Sequence, residues 1–331
     1  MASRWITAIG TTHLLRAVEL AGADSRVIAE RFGFPARPTY DQRIAVTTLI
    51  EAWEAAISLT GSRALPVLAA TRAAHDELSW LGFVIANQPR LADGIALCDR
   101  YFPTVSNAYR WRYYVGAEVR IVCEPAGPID RLGWQAYLEF EAIDLATIGR
   151  RITADAAGPI AVSFLHAAPE PAVVDALAGA LGVAPRFAQP TCELVFPGSV
   201  VELELPAARP SLAVLVERKL ATLLEADQRN AAISTRVRAA LPDLMRGRAC
   251  GVDELARTLA MSRRSLERAL ADEGTSASAL IDEERMHHAV AWLPELSVAE
   301  VADRLGYSDV RAFARAFKRW TGKPPSEARR R

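Results

Sequence analysis

The chain has 331 residues, about twice the length of a common single domain, so two domains are the starting expectation. With 51% hydrophobic and 24% charged residues it has the make-up of a folded globular protein, which excludes the disordered and fibrous classes. The formal net charge of zero conceals a split: from Gln228 on, 19 Lys and Arg face 14 Asp and Glu, whereas the first 227 residues hold 20 against 25, so a surface for a polyanion belongs to the tail.

The opening run MASRWITAIGTTHLL has no uninterrupted apolar region followed by a small-residue cleavage site, and no stretch reaches the roughly 18 consecutive apolar residues of a membrane span. The expectation is a cytoplasmic chain without a signal peptide and without a membrane partner. Cys98, Cys123, Cys192 and Cys250 form no CxxC pair and read as small buried hydrophobes, with a thiol or metal sensor as the alternative.

In chain order, helical periodicity marks residues 12–21, 46–60 and 91–101. The run RWRYYVGAEVRIVCEP, residues 110–125, alternates as two strands joined near Gly116, and a long helix is expected over about 134–152. IAVSFLH, residues 160–166, reads as a buried strand, PAVVDALAGALG as a helix ending at Gly182, and CELVFP, residues 192–197, as a further strand. Residues 1–227 are thus expected to form an α+β domain. A sensing pocket there should be mostly apolar with a few polar groups, and Tyr101, Trp111, Tyr113, Tyr114, Phe164 and His166 qualify by composition. Aromatic residues more often fill cores, and His166 at the end of an apolar strand also reads as a structural histidine. His13 and His75 lack metal-ligand spacing, while His287 and His288 are adjacent on a helix and point apart. Without a phosphate-binding loop, a dinucleotide glycine pattern, G-x-S-x-G or H-E-x-x-H, neither an enzyme nor a cofactor is expected.

The last hundred residues contain a repeat. VDELARTLAMS, residues 252–262, matches VAEVADRLGYS, residues 298–308, at an offset of 46; LERAL, from Leu266, then matches FARAF, from Phe313, at an offset of 47. Each copy reads as helix, tight turn, helix. Small Ala256 and Ala302 permit a close crossing, and Gly306 suits the turn by tolerating positive φ, a freedom that Ala260 lacks. Ser262 and Ser308 are placed to cap the second helices, and Ser297 with Glu300 forms a capping box after Pro294. On the second helices Leu266 with Leu270, and Phe313 with Phe317, recur at four-residue spacing and should pack inward, leaving a largely cationic outer face. Residues 278–293 between the copies read as one spacer helix about 24 Å long. The bland alternative is a pair of packed helical hairpins with solvated charge.

At these residues the chain resembles the AraC/XylS family of transcription regulators, over about residues 231–330. The passages that carry the resemblance are LGYSDVRAFARAFKRWTGKPPSEARR, from Leu305, and MSRRSLERALADEGTSASALIDEER, from Met261. It implies an all-α DNA-binding domain, residues 228–331, with a first helix-turn-helix at about 251–272, a spacer helix at 277–293 and a second helix-turn-helix at 297–320. By alignment the first offers Arg263, Arg264, Glu267 and Arg268 to double-stranded DNA, and the second Asp309, Val310, Arg311, Ala314 and Arg315. Arg264 with Glu267 suits base reading, Arg268 and Arg315 suit phosphate, and Val310 with Ala314 suits a thymine methyl, so the site read should be asymmetric. Asp309 has a second reading, as a helix-start charge. Lys318, Arg319 and Lys323 read as backbone neutralisers or solubilising charge, and Arg285 as a link between subdomains through acidic neighbours.

More weakly, LGFVIANQPRLADGIALCDRYFPTVS and VSFLHAAPEPAVVDALAGALGVAPRFAQPTCELVFPG resemble the effector domain of AraC-type regulators grouped under an arabinose-binding label. Members of that group respond to varied small molecules, and the founding protein's sugar-binding cupin pattern is not evident. The resemblance implies an activator with an unidentified small-molecule effector, RNA polymerase as a partner, and homodimer formation. A ligand-free dimerisation or protein-interaction module stays open as the alternative for the N-terminal domain.

Overall fold

The structure, a computed structural model, describes residues 4–39, 41–72, 79–125, 127–230, 232–246, 251–294 and 296–328. Cys250 and His75 lie outside them. The chain divides into two compact units, Met1–Leu223 and Leu224–Arg331.

In the first unit, strands β1 (Trp5–Thr7) and β2 (Arg43–Ala45) pair antiparallel, with helices α1 (Gly10–Leu20) and α2 (Arg26–Phe32) between them in sequence. Helices α3 (Val46–Thr60), α4 (Leu65–Arg72), α5 (Trp80–Ala86) and α6 (Leu91–Tyr101) follow, then the hairpin β3 (Tyr109–Val115) and β4 (Glu118–Pro125). The long helix α7 (Leu132–Ile152), β5 (Ala161–Ser163), α8 (Pro171–Leu181), β6 (Cys192–Pro197) and α9 (Pro210–Asn230) complete the unit, whose boundary falls within α9. The last four strands make one antiparallel sheet in the order β3-β4-β6-β5.

Alternation along β3 places Tyr109, Trp111 and Tyr113 on one face of this sheet. Register extends that face through Cys123 and Ile121 of β4 to Cys192 and Leu194 of β6. The opposite face carries the ion pairs Arg112–Glu124 and Arg120–Glu193. Helix α7 is buried on nearly every side, as a central helix must be when apolar residues surround its axis. It approaches α3 so closely that a Cβ at Gly133 would run into the Ile50 carbonyl. Glu54 of α3 anchors its first turn, accepting from the Gly133 N–H at 3.2 Å and pairing with Arg131 at 2.6 Å. The strand expected over 160–166 shortens to Ala161–Ser163, because the Phe164 N–H turns to the Arg186 carbonyl, 2.8 Å away, instead of continuing along β6.

Every described element of the second unit is helical: α10 (Ile233–Arg246), α11 (Val252–Thr258), α12 (Arg263–Asp272), α13 (Ala277–Trp292), α14 (Val298–Arg304), α15 (Val310–Thr321) and α16 (Pro325–Ala328). Two small cores form. Val237 and Leu241 of α10, Leu255 of α11, and Leu266 and Leu270 of α12 close over Leu280 and Ile281 at the start of α13. Ala289 and Leu293 at its other end meet Val301, Leu305, Phe313 and Phe317, joined by Met245 from α10. Burying each large side chain contributes about 1.5–3 kcal/mol, so α13 holds the two subdomains by giving half its length to each core. Arg319 of α15 adds an ion pair to Asp282 of α13 at 2.8 Å, and Arg285 lies over the Tyr307 ring at 5.1 Å. Among the described residues Arg285 thus meets an aromatic ring, and the acidic link is made by Arg319.

Candidate nucleic-acid interface

Both helix-turn-helix units turn by the same hydrogen-bonding device. At the end of α11 the Met261 N–H reaches back to the Ala256 carbonyl at 2.8 Å and the Ala260 N–H to Arg257 at 3.0 Å. At the end of α14 the Tyr307 N–H reaches Ala302 at 2.9 Å and the Gly306 N–H reaches Asp303 at 3.0 Å. This double bond pattern closes a helix only when the residue after the cap is left-handed, and Ala260 and Gly306 take φ of +53° and +77°. Ala260 adopts the conformation in spite of its side chain. Buried Ala256 and Ala302 sit one turn back, where the second helices cross.

The second helices start on capped ends. Ser262 accepts from the Ser265 N–H at 3.1 Å, as its spacing predicts. In the second copy the cap is Asp309, accepting from Arg311 and Ala312 at 3.0 and 3.2 Å, and not Ser308; the residue inserted between the copies shifts the cap by one. The Ser297–Glu300 capping box forms in full.

Leu266, Leu270, Phe313 and Phe317 are all buried, which turns the other faces of α12 and α15 to solvent. Arg263, Arg264, Glu267 and Arg268 are exposed on α12; Val310, Arg311 and Arg315 are exposed on α15, with Asp309 at its cap and Ala314 half-buried. These cations are not equivalent. Arg263 is held by Glu267 at 2.9 Å and by Asp253 at 3.3 Å. Arg264, Arg268, Arg311 and Arg315 have no ionic partner among the described residues. Glu267 accepts from Arg263, and the Asp309 carboxylate is taken up by its own helix.

The aromatic candidates of the first unit fall in four places. Trp111 and Tyr113 share the sheet face that looks at α7, where the Trp111 Nε1–H donates to Glu141 at 3.3 Å. Tyr101 lies on α6 and donates to Glu217 of α9 at 3.1 Å. Phe164 and His166 stack near Phe187, and His166 Nε2 sits 3.4 Å from Glu139, a buried carboxylate that Arg63 grips with two bonds of 2.6 and 2.8 Å. Burial pushes His166 below its ordinary range, so the imidazole is neutral there. Tyr114 lies on the opposite face of β3, and the six candidates do not converge on one pocket.

Residues 22–205 match the family described as the arabinose-binding domain of AraC transcription regulators, and residues 255–331 match a helix-turn-helix domain family. The chain belongs to the AraC family of transcription regulators. The first match lies inside the first unit and the second inside the helical unit, so this AraC-family chain is a DNA-binding transcription regulator with an arabinose-binding-like N-terminal domain. The ornithine utilization regulator of Pseudomonas aeruginosa is 29% identical over 285 residues, 82% of this chain and 80% of that protein. An uncharacterized HTH-type transcriptional regulator of Mycobacterium tuberculosis is 34% identical over 202 residues, 54% of this chain and 57% of its own length. The crystal structure of the transcriptional regulator CdpR from Pseudomonas aeruginosa covers 85% of this chain and 91% of its own at 18% identity and a TM-score of 0.44. The matched families and relatives are regulators and not enzymes. No helix among the described residues is long and apolar enough to cross a membrane.

Sequence reasoning on this AraC-family regulator passed over the acids of α7. Glu139, Glu141 and Asp144 belong to no motif that singles them out, yet Glu139 is fully buried and Glu141 accepts from Tyr109, Tyr137 and Trp111. The one signal available was their company, since apolar Leu138, Phe140 and Ile143 alternate with them and leave no polar face.

Proposed function

We propose that this regulator is an activator that reads two adjacent major grooves with α12 and α15 and responds to a small molecule held by its N-terminal domain, about residues 1–227. The observation that supports the reading is the pair of helices capped alike, buried alike and cationic on their outer faces, within a unit spanned by one spacer helix. Arg264, without an ion pair among the described residues, is the base-reading candidate of α12, because a guanidinium pairs bidentately with guanine O6 and N7. Arg268 and Arg315 are assigned to phosphate, Arg311 to either, and Val310 with Ala314 to a thymine methyl. Arg263 and Glu267 offer a pair that must open before either meets DNA, and Asp309 fixes the start of α15. Contact with RNA polymerase belongs to the same proposal.

Footprinting on DNA upstream of its own and neighbouring genes tests the assignment, and absence of specific protection by folded protein at moderate salt overturns it. Arg264→Ala is expected to cost about 1–3 kcal/mol of specific binding and to relax sequence preference. Arg315→Ala should instead weaken all sequences alike and lower the salt slope by about one ion. If the two variants are indistinguishable, the division into base and phosphate readers fails.

Exposed Leu212, Val214 and Leu215 on α9 favour self-association of the N-terminal domain as a second reading. Sedimentation of Leu215→Glu beside the wild type checks it, with a shift from dimer to monomer expected.

A further inference from the structure

We propose that Cys123 of β4 and Cys192 of β6 are an oxidation site, two thiols that a peroxide converts to a disulfide across the sheet. The site is independent of the effector reading above.

Register pairs Cys123 with Cys192 directly across two antiparallel strands. Opposite residues of such a ladder have Cα atoms about 4.5–5.5 Å apart and side chains on one face, and a disulfide requires Cα atoms about 4.4–6.8 Å apart. Closure therefore takes side-chain rotation without backbone movement. Both thiols are free, and that of Cys192 is near enough to act on Cys123 as a hydrogen-bond partner. Cys98, equally buried, is engaged by its own helix, donating to the Gly94 carbonyl at 3.5 Å. A metal is a poorer occupant, because no group of three or more metal-ligating side chains occurs among the described residues and a structural zinc takes four. Oxidation needs only the two.

Position in the ladder supplies access. Cys123 and Cys192 form the last rung shared by β4 and β6; beyond it Glu124 and Pro125 pair with β3 alone, and β6 gives way to exposed Pro190 and half-buried Thr191. The end of a ladder opens at a lower free energy than its middle, so one rung can part without loss of the sheet. At rest both residues are buried, and burial, then the Cys192 thiol, holds the Cys123 thiol well above its ordinary range. The attacking thiolate thus forms only when the rung opens, which leaves the pair inert to brief exposure and responsive to a sustained oxidant.

The chemistry balances with hydrogen peroxide as the oxidant. One thiol, ionised on opening, attacks a peroxide oxygen; the O–O bond breaks, a sulfenic acid forms, and the released hydroxide takes up the thiol's proton as water. The second thiol attacks the sulfenic sulfur, the S–S bond forms, and the S–OH oxygen leaves with the second thiol's proton as another water. The two sulfurs lose two electrons in all and the peroxide gains them. A dithiol reductant returns the pair to two thiols by exchange.

The bond would close the loop that holds α7, β5 and α8, and a cross-link over so long a loop stabilises the fold by constraining the unfolded chain. The test treats the full chain with hydrogen peroxide below its unfolding transition, alkylates the remaining thiols and maps the peptides without reduction. A Cys123–Cys192 peptide lighter than its parts by two hydrogens is expected, with a Tm about 5–15 °C above that of the reduced chain and restored to the reduced value by dithiothreitol. Cys98→Ser should keep the shift; Cys123→Ser and Cys192→Ser should each lose it. Recovery of both residues as alkylated thiols or as sulfinic or sulfonic acids, linkage of either to Cys98 or Cys250 in place of the other, or oxidation only above the transition overturns the proposal. Should the serine variants fail to fold, the wild-type peptide map and Tm decide the question by themselves.

Discussion

Ala260 and Gly306 occupy the same position in two copies of one turn, and only one of them is a residue that the left-handed region suits. A side chain at positive φ costs roughly 1–2 kcal/mol, part of which glycine returns through the greater freedom of its unfolded chain. Ala260→Gly is therefore expected to stabilise the helical unit by about 0.5–1 kcal/mol in denaturant unfolding. At Gly306 an added Cβ would meet no atom within 4 Å, so Gly306→Ala changes only the backbone terms and should destabilise by about 0.5–1 kcal/mol, the reverse of the change at Ala260. Equal effects of the two changes in the same direction would mean that the turns are not equivalent. The same residues show why the repeat could be read before any fold was known: small alanine, turn residue and cap act locally, within a few positions of chain. The cap of α15 slipped from Ser308 to Asp309 for an equally local reason, since one inserted residue moved the helix start while a second side chain able to cap stood next to the first.

At the scale of elements, α7 organises the N-terminal unit, and the contacts that fix it are the ones sequence periodicity cannot supply. Arg63 stands 76 positions from Glu139, and Trp111 stands 30 from Glu141, so a run with acids at alternating places looks exposed until partners from elsewhere are known. The helices at 46–60 and 91–101 and the hairpin about Gly116 were legible because amphipathic spacing and turn chemistry are properties of the segment itself. Three-residue strands such as β1 and β2 carry too few residues for a period to show. Removing one partner of a buried pair leaves the other charge uncompensated, and Arg63, 11% exposed, and Glu139, 0% exposed, form such a pair. Arg63→Ala is expected to cost about 3–5 kcal/mol, while the joint change Arg63→Met with Glu139→Leu should restore much of it. Gly133→Ala tests the approach of α7 to α3: helix propensity favours alanine by about 1 kcal/mol, yet the clash with the Ile50 carbonyl should leave a net loss of about 1–3 kcal/mol. Chemical denaturation measures both, and a neutral Gly133→Ala would show that the two helices do not need their close contact.

For the whole molecule, half-buried Asp144 and buried His13 give opposite dependence of stability on pH. Asp144 is raised from 3.8 to about 7, by burial and then by Glu141. Between those values the folded state holds a proton that the unfolded state has lost, so this group makes stability fall as pH rises, by an amount on the order of 4 kcal/mol in full. His13 is lowered by burial from 6.5 to about 4. Over that interval the folded state lacks a proton that the unfolded state holds, so this group makes stability rise with pH. The two slopes oppose each other up to pH 6.5, and the wild-type curve alone does not separate them. Differences between variants do. Urea unfolding from pH 5 to 8 should show Asp144→Asn gaining on the wild type as pH rises and levelling off above about 7, whereas His13→Phe should gain as pH falls below 6.5. An asparagine variant that runs parallel to the wild type across this range would show that the fold does not hold the Asp144 carboxyl above its ordinary range.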